Sequence, residues 1–178
     1  MKKKYSFPEP QCRSCPKHRS FGNLICETRY CMGFPKKRNG KRFRASDPQY
    51  KPPKWCPRRL AIPVCRIYGF ANEQSKMLDR ERRYQDDPTK QEYAFPLEWH
   101  YKLRTELSLS LTAKQFWERV QQDTAESVLS DVSLDYGEVV EIDDGLKPYY
   151  FYYAYGVLIP VLYFDSSRTA KPEVRDEA

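Results

Sequence analysis

The stretch CRSCPKHRSFGNLICETRYC, residues 12–31, sets four cysteines and a histidine within twenty residues. Three readings compete for the thiols: metal ligands, disulfide partners or core filler. Cys12 and Cys15 are two residues apart, the spacing at which two thiolates reach one tetrahedral ion. Cys26 and Cys31 follow, giving C-x2-C-x10-C-x4-C, compact enough for one zinc site. Cys56, in the turn-like Trp55-Cys56-Pro57, can replace Cys26 or Cys31 as a ligand, and His18 stands nearby at C-x2-C-x2-H. Disulfides require an oxidising compartment, and nothing in the sequence suggests export. Cys65, within Ile-Pro-Val-Cys-Arg-Ile, reads as a small core residue, and Cys26 after Leu24-Ile25 can be read the same way. The polar, prolyl surroundings of Cys12 and Cys15 argue against that role for them. Four protein ligands leave no open position for water, so such a zinc would be structural.

The surrounding half of the chain supplies a reason for a metal. Residues 1–68 carry 18 Lys+Arg against Glu9, Glu27 and Asp47, a net charge of +15, whereas residues 69–178 have a net charge of −8. Turn signals recur through GFPKKRNGKRFRASDPQYKPPKWCPRRL, residues 33–60, and its prolines forbid a long helix. A segment with so little apolar periodicity cannot build a core alone, and metal binding can contribute about 10 kcal/mol to the folding of such a segment.

Within it, Lys36, Lys37, Arg38, Lys41, Arg42 and Arg44 are followed by Lys51, Lys54, Arg58 and Arg59, with Phe34, Phe43, Tyr50 and Trp55 interleaved. Cations for phosphates beside flat rings for bases describe a nucleic-acid surface. The competing reading is a solvated basic loop, or one paired with the acidic half. No recognition helix is visible, which disfavours sequence-specific readout.

From about Asn72 the texture becomes that of a folded domain. Residues 72–87 predict an exposed helix with Met77, Leu78 and Tyr84 as its apolar stripe. Leu107, Leu109 and Leu111 alternate with serines as in a half-buried strand. Thr112 and Gln115 form a capping box opening a helix from Ala113 to about Val128. Asp144-Gly145 signals a two-residue hairpin between runs 138–143 and 146–155, and the apolar run Tyr149–Phe164 reads as sheet. The expected fold class is α+β: a Cys-rich, zinc-stabilised module over 1–70, an α+β domain with an antiparallel sheet over 71–168, and a polar tail over 169–178.

Catalytic signatures are sparse. There is no phosphate-binding glycine loop, nucleophile elbow or H-E-x-x-H. The carboxylates Glu118, Asp123, Glu126, Asp131, Asp135, Glu138, Glu141, Asp143 and Asp144 read first as a solvated face. A surface for a basic partner is the second reading, and ligands of a small metal-dependent nuclease the third. His100, beside Trp99, is expected to be a satisfied structural histidine. No signal peptide and no membrane-length apolar run are visible, so a cytoplasmic protein is expected.

The segments GFPKKR and PPKWCPRR, with the cysteines around them, resemble a stretch of uncharacterised Cys-rich small proteins of bacterial phages, plasmids and integrated elements. The resemblance spans about residues 12–75. It carries no agreed activity, but it implies a mobile-element setting, in which anti-defence proteins are common. The expected function is therefore non-enzymatic: a zinc-stabilised protein of a phage or mobile element that binds nucleic acid, such as DNA, or a nucleoprotein. The alternative is an anti-CRISPR protein that inhibits a Cas effector nuclease.

Overall fold

The structure, a computed structural model, describes residues 10–23, 26–60, 62–83, 94–129 and 132–170. They form an α+β fold with antiparallel sheets and few helices. Contacts divide it into two units. Among the described residues, one comprises 10–60 with Gly145–Lys147, and the other 62–144 with 148–170. The division falls ahead of residue 70 because Val64–Phe70 is an internal strand of the larger sheet.

The N-terminal unit is built mainly of turns. A 3-10 turn covers Cys12–Ser14, and three short strands follow: β1 (His18–Phe21), β2 (Thr28–Cys31) and β3 (Lys41–Arg42). They form an antiparallel sheet in that order. The register sets His18 opposite Cys31 on one side and Lys41 opposite Cys31 on the other. Gly40 closes the loop back onto β2 at φ +65°, where a Cβ would stand 2.6 Å from the Cys31 carbonyl oxygen. Only glycine fits there.

The second unit is a five-stranded antiparallel sheet, ordered β5-β4-β6-β7-β8. Its strands are β4 (Val64–Phe70), β5 (Tyr101–Ser108), β6 (Val139–Asp143), β7 (Pro148–Ala154) and β8 (Val157–Val161). Helix α1 (Glu73–Arg83) links β4 towards β5, while α2 (Ala113–Val120) and α3 (Ala125–Val128) lie between β5 and β6. Successive side chains of a strand point to opposite faces, so each strand feeds two cores. On one face Cys65, Ile67, Val140, Ile142 and Phe151 pack with Phe116, Trp117, Ala125 and Leu129 of the α2–α3 segment. On the other, Tyr68, Tyr101, Val139, Tyr152 and Ile159 pack with Phe164. Cys65 is fully buried in the first core, and burial pushes its thiol up to about 12.

Several local expectations change. The capping box at Thr112 and Gln115 is present, but the helix stops at Val120 instead of reaching Val128. Thr124 caps a new short helix by accepting from the Ser127 N–H, and Asp123 accepts from the Thr124 N–H and the Ser127 hydroxyl. That local alternative outcompetes continuation. Helix α1 exposes Met77 and Leu78 and buries Ser75 and Asp79. The reason is the Tyr152 hydroxyl, which donates to Asp79 Oδ2 at 3.1 Å. Tyr84, the third residue of the expected stripe, lies outside the described residues.

The two-residue hairpin is also displaced. Asp143 pairs with Pro148, so Asp144–Lys147 is a four-residue connection, with Leu146 turned inward. The two-residue turn is Tyr155-Gly156 between β7 and β8, with φ values of 50° and 80°. Among the described residues no helix is long and apolar enough to cross a membrane.

Candidate metal centre

Two turns and the end of a strand bring four thiols to line one cavity. Cys12 and Cys15 sit at either end of the first 3-10 turn, where the Cys15 N–H donates to the Cys12 carbonyl at 3.0 Å. The Cys12 N–H is in turn held by the Tyr50 carbonyl at 2.7 Å. Cys31 ends β2. Cys56 sits in a turn closed by its own N–H to the Pro53 carbonyl at 3.0 Å. The PPKWCP prolines pre-set that turn.

Cys12, Cys15, Cys31, Cys56 and His18 all line one cavity of about 20 Å³, room for a single atom, walled by the apolar surfaces of Phe43 and Trp55. All these cysteines are free thiols, as are Cys26 and Cys65. Cys26 is exposed and does not line the cavity. Of the five cysteines named from the sequence, the fold thus gathers four.

The electrostatics report the same proximity. The Cys12 thiol is pushed up to about 11, first by burial and then by the nearness of Cys56, Cys15 and Cys31. Cys31 is raised by burial, against a Gly33 N–H that reaches its sulfur and favours the thiolate. Arg58 Nη1 lies 3.7 Å from the Cys15 sulfur. His18 Nε2 is buried without a hydrogen-bond partner, and burial followed by Arg29 lowers its pKa, favouring neutral imidazole. As the side chains stand, no group of three or more His, Cys, Asp or Glu among the described residues is drawn into metal-holding geometry. The sulfurs share a cavity, not a closed coordination sphere.

The basic residues divide into two sets. Lys41 lies over the Trp55 ring at 4.1 Å, and Trp55 packs against Phe34 and Phe43. Its indole N–H donates to Asp47 Oδ1 at 2.9 Å. Arg58 donates to the Leu146 carbonyl, and Arg59 to those of Pro52 and Pro53. These four residues, Lys41, Trp55, Arg58 and Arg59, are occupied in building the unit. Lys36, Lys37, Arg38, Arg42, Arg44, Lys51 and Lys54 are exposed. Sequence reasoning missed Asp47, whose paired hydrogen bonds to the Arg44 N–H and the Trp55 indole close the loop. The Asp47-Pro48 turn signal was its only trace.

The acidic residues of the second unit are largely engaged. Glu141, 2% exposed, accepts from Arg66 Nη1 and the Tyr68 hydroxyl, both at 2.7 Å. Arg66 also meets Glu106 at 2.5 Å and Asp143 at 3.8 Å. Glu138 pairs with Arg104 at 2.9 Å, and burial raises its pKa. The Tyr153 hydroxyl donates to Glu126, and Asp123 accepts from the Thr124 N–H and the Ser127 hydroxyl ahead of α3. Asp131 lies outside the described residues. His100 is not satisfied as expected: its Nδ1 is buried with no hydrogen-bond partner among the described residues, beside Trp99 at 6.0 Å.

No family model matches the chain, and neither a curated protein nor a solved structure matches it.

Proposed function

We propose that the protein is a non-enzymatic binding protein whose N-terminal unit is a zinc-stabilised module for nucleic acid or a nucleoprotein. The convergence of Cys12, Cys15, Cys31 and Cys56 on one cavity carries this reading. Four thiolates suit zinc, and a tetrahedral site filled by protein ligands is structural. His18 Nε2, buried with no hydrogen-bond partner among the described residues, lines the same cavity and is the alternative nitrogen ligand of the C-x2-C-x2-H spacing. Zinc would supply the folding free energy that the turns and short strands of this unit cannot. Cys26, exposed, is assigned no ligand role.

Binding is the reading for the basic face because its exposed cations, Lys36, Lys37, Arg38 and Arg42, have no carboxylate partner among the described residues. The carboxylates of the second unit favour a non-enzymatic reading in turn. Arg66 stands among Glu106, Glu141 and Asp143, where a catalytic cation would have to stand. The setting in a phage or mobile element is proposed from the GFPKKR and PPKWCPRR resemblance. Within it, a Cas effector is one nucleoprotein partner that co-elution tests.

The test is a gel shift with zinc-loaded protein and with protein stripped by chelator. Binding that weakens steeply with salt and disappears on stripping is expected. Loaded protein that binds no nucleic acid at low salt contradicts the reading.

A further inference from the structure

Resting on that nucleic-acid reading, we infer that the loop from Met32 to Gly40, with β3, engages the phosphate backbone of duplex nucleic acid and not unstacked bases.

Of the rings interleaved with the cations, Phe43 is buried, Phe34 and Trp55 are half-buried, and Tyr50 is 49% exposed. Proteins that bind single strands present aromatic faces on which bases stack. Here Trp55 has Phe43 at 5.1 Å, Phe34 at 5.9 Å and the Lys41 ammonium over its ring. Phe43 is buried and meets His18 at 5.9 Å. The Arg13 guanidinium lies 5.3 Å from the Tyr50 ring centre. Phe34, Phe43 and Trp55 are thus committed to packing within the unit, which leaves Tyr50 as the one exposed ring of the four, too few for a stacking platform.

The cations are placed differently. Lys36, Lys37, Arg38 and Arg42 fall within seven residues and are all exposed. Two tight turns fix their loop, through the Lys37 N–H to the Phe34 carbonyl at 3.1 Å and the Gly40 N–H to the Lys37 carbonyl at 2.9 Å. Its neck is the pairing of Cys31 with Lys41. Four exposed cations on one turn-fixed loop suit the duplex backbone, which carries a charge about every 1.7 Å of its axis. The described residues of this unit include no α-helix to enter a groove, so the contact is independent of sequence.

Fluorescence anisotropy on the zinc-loaded full chain tests this, using labelled duplexes of two unrelated sequences and the corresponding single strands. The expected result is equal affinity for the two duplexes and weaker binding to single strands. Arg38→Ala is expected to lower the log–log salt slope on duplex DNA by about 0.9. The triple variant Lys36→Ala, Lys37→Ala, Arg38→Ala is expected to weaken binding at least about tenfold, with zinc content and the Trp55 indole resonance unchanged. Tighter single-strand binding that is lost in Tyr50→Ala overturns the inference and leaves the nucleic-acid reading standing. Duplex binding untouched by the triple variant does the same. Loaded protein that binds neither form removes both.

Discussion

At the scale of single residues, the molecule rests on a few atoms whose roles are narrow. Asp47 accepts from the Arg44 N–H and the Trp55 indole, and those two hydrogen bonds hold its carboxyl below the ordinary value of 3.8. A carboxylate with a depressed folded pKa contributes stability above its unfolded pKa and loses it as pH falls through the folded one. The Trp55 indole N–H resonance is therefore expected to shift on acidification with a midpoint below 3.8; a midpoint above that value contradicts the pairing. Tyr155 is a second such residue. It occupies a left-handed conformation in a two-residue turn, with Gly156 beside it and open space around that glycine. Tyr155→Asn, which suits the conformation better, is expected to raise the melting temperature. Gly156→Ala is expected to cost about 1–2 kcal/mol through backbone strain alone. Thermal denaturation measures the first and urea denaturation the second. The sequence made the core role of Cys65 and the pairing of Cys12 with Cys15 around one turn legible through their immediate surroundings. It could not choose among Cys26, Cys31 and Cys56, because that choice depends on which turn folds back upon the first.

At the scale of elements, the tyrosine-rich strands explain most departures from the sequence pattern. Buried hydroxyls need partners. Tyr152 recruits Asp79 into the buried face of α1, and Tyr68 recruits Glu141 into the centre of the sheet. Neither partner is visible in periodicity, because each is polar at a position where an apolar residue is expected. The capping box of α2 was legible, being local; the break before α3 was not, since Asp123 and Thr124 read equally well as exposed helix residues. Arg66 neutralises Glu141, which is almost wholly buried. Arg66→Ala strands that charge and is expected to destabilise the second unit by about 3–5 kcal/mol. The double change Arg66→Ala with Glu141→Gln is expected to recover part of the loss; chemical denaturation with no recovery contradicts the pairing. On the opposite face, Trp117 stacks on Phe151 at 5.2 Å and 7°. Its truncation to Ala is expected to cost about 3–5 kcal/mol by the same measurement.

At the scale of the whole molecule, the charge asymmetry of the sequence corresponds to two ways of making structure. Residues 62–144 and 148–170 bury two aromatic-rich cores on a five-stranded sheet. The N-terminal unit buries Cys12, Phe43 and little else among its described apolar residues outside Leu146, and concentrates its thiols where a core would be. The proposed dependence on metal is argued from that shortage. The measurement that tests this most directly is the zinc content of freshly purified, reduced protein, in the wild type and in Cys26→Ser and Cys31→Ser variants. About one zinc per chain is predicted for the wild type and for Cys26→Ser, and close to none for Cys31→Ser. A reduced wild-type protein without zinc, or a Cys26→Ser variant that loses it, contradicts the assignment of Cys12, Cys15, Cys31 and Cys56 as the metal's ligands.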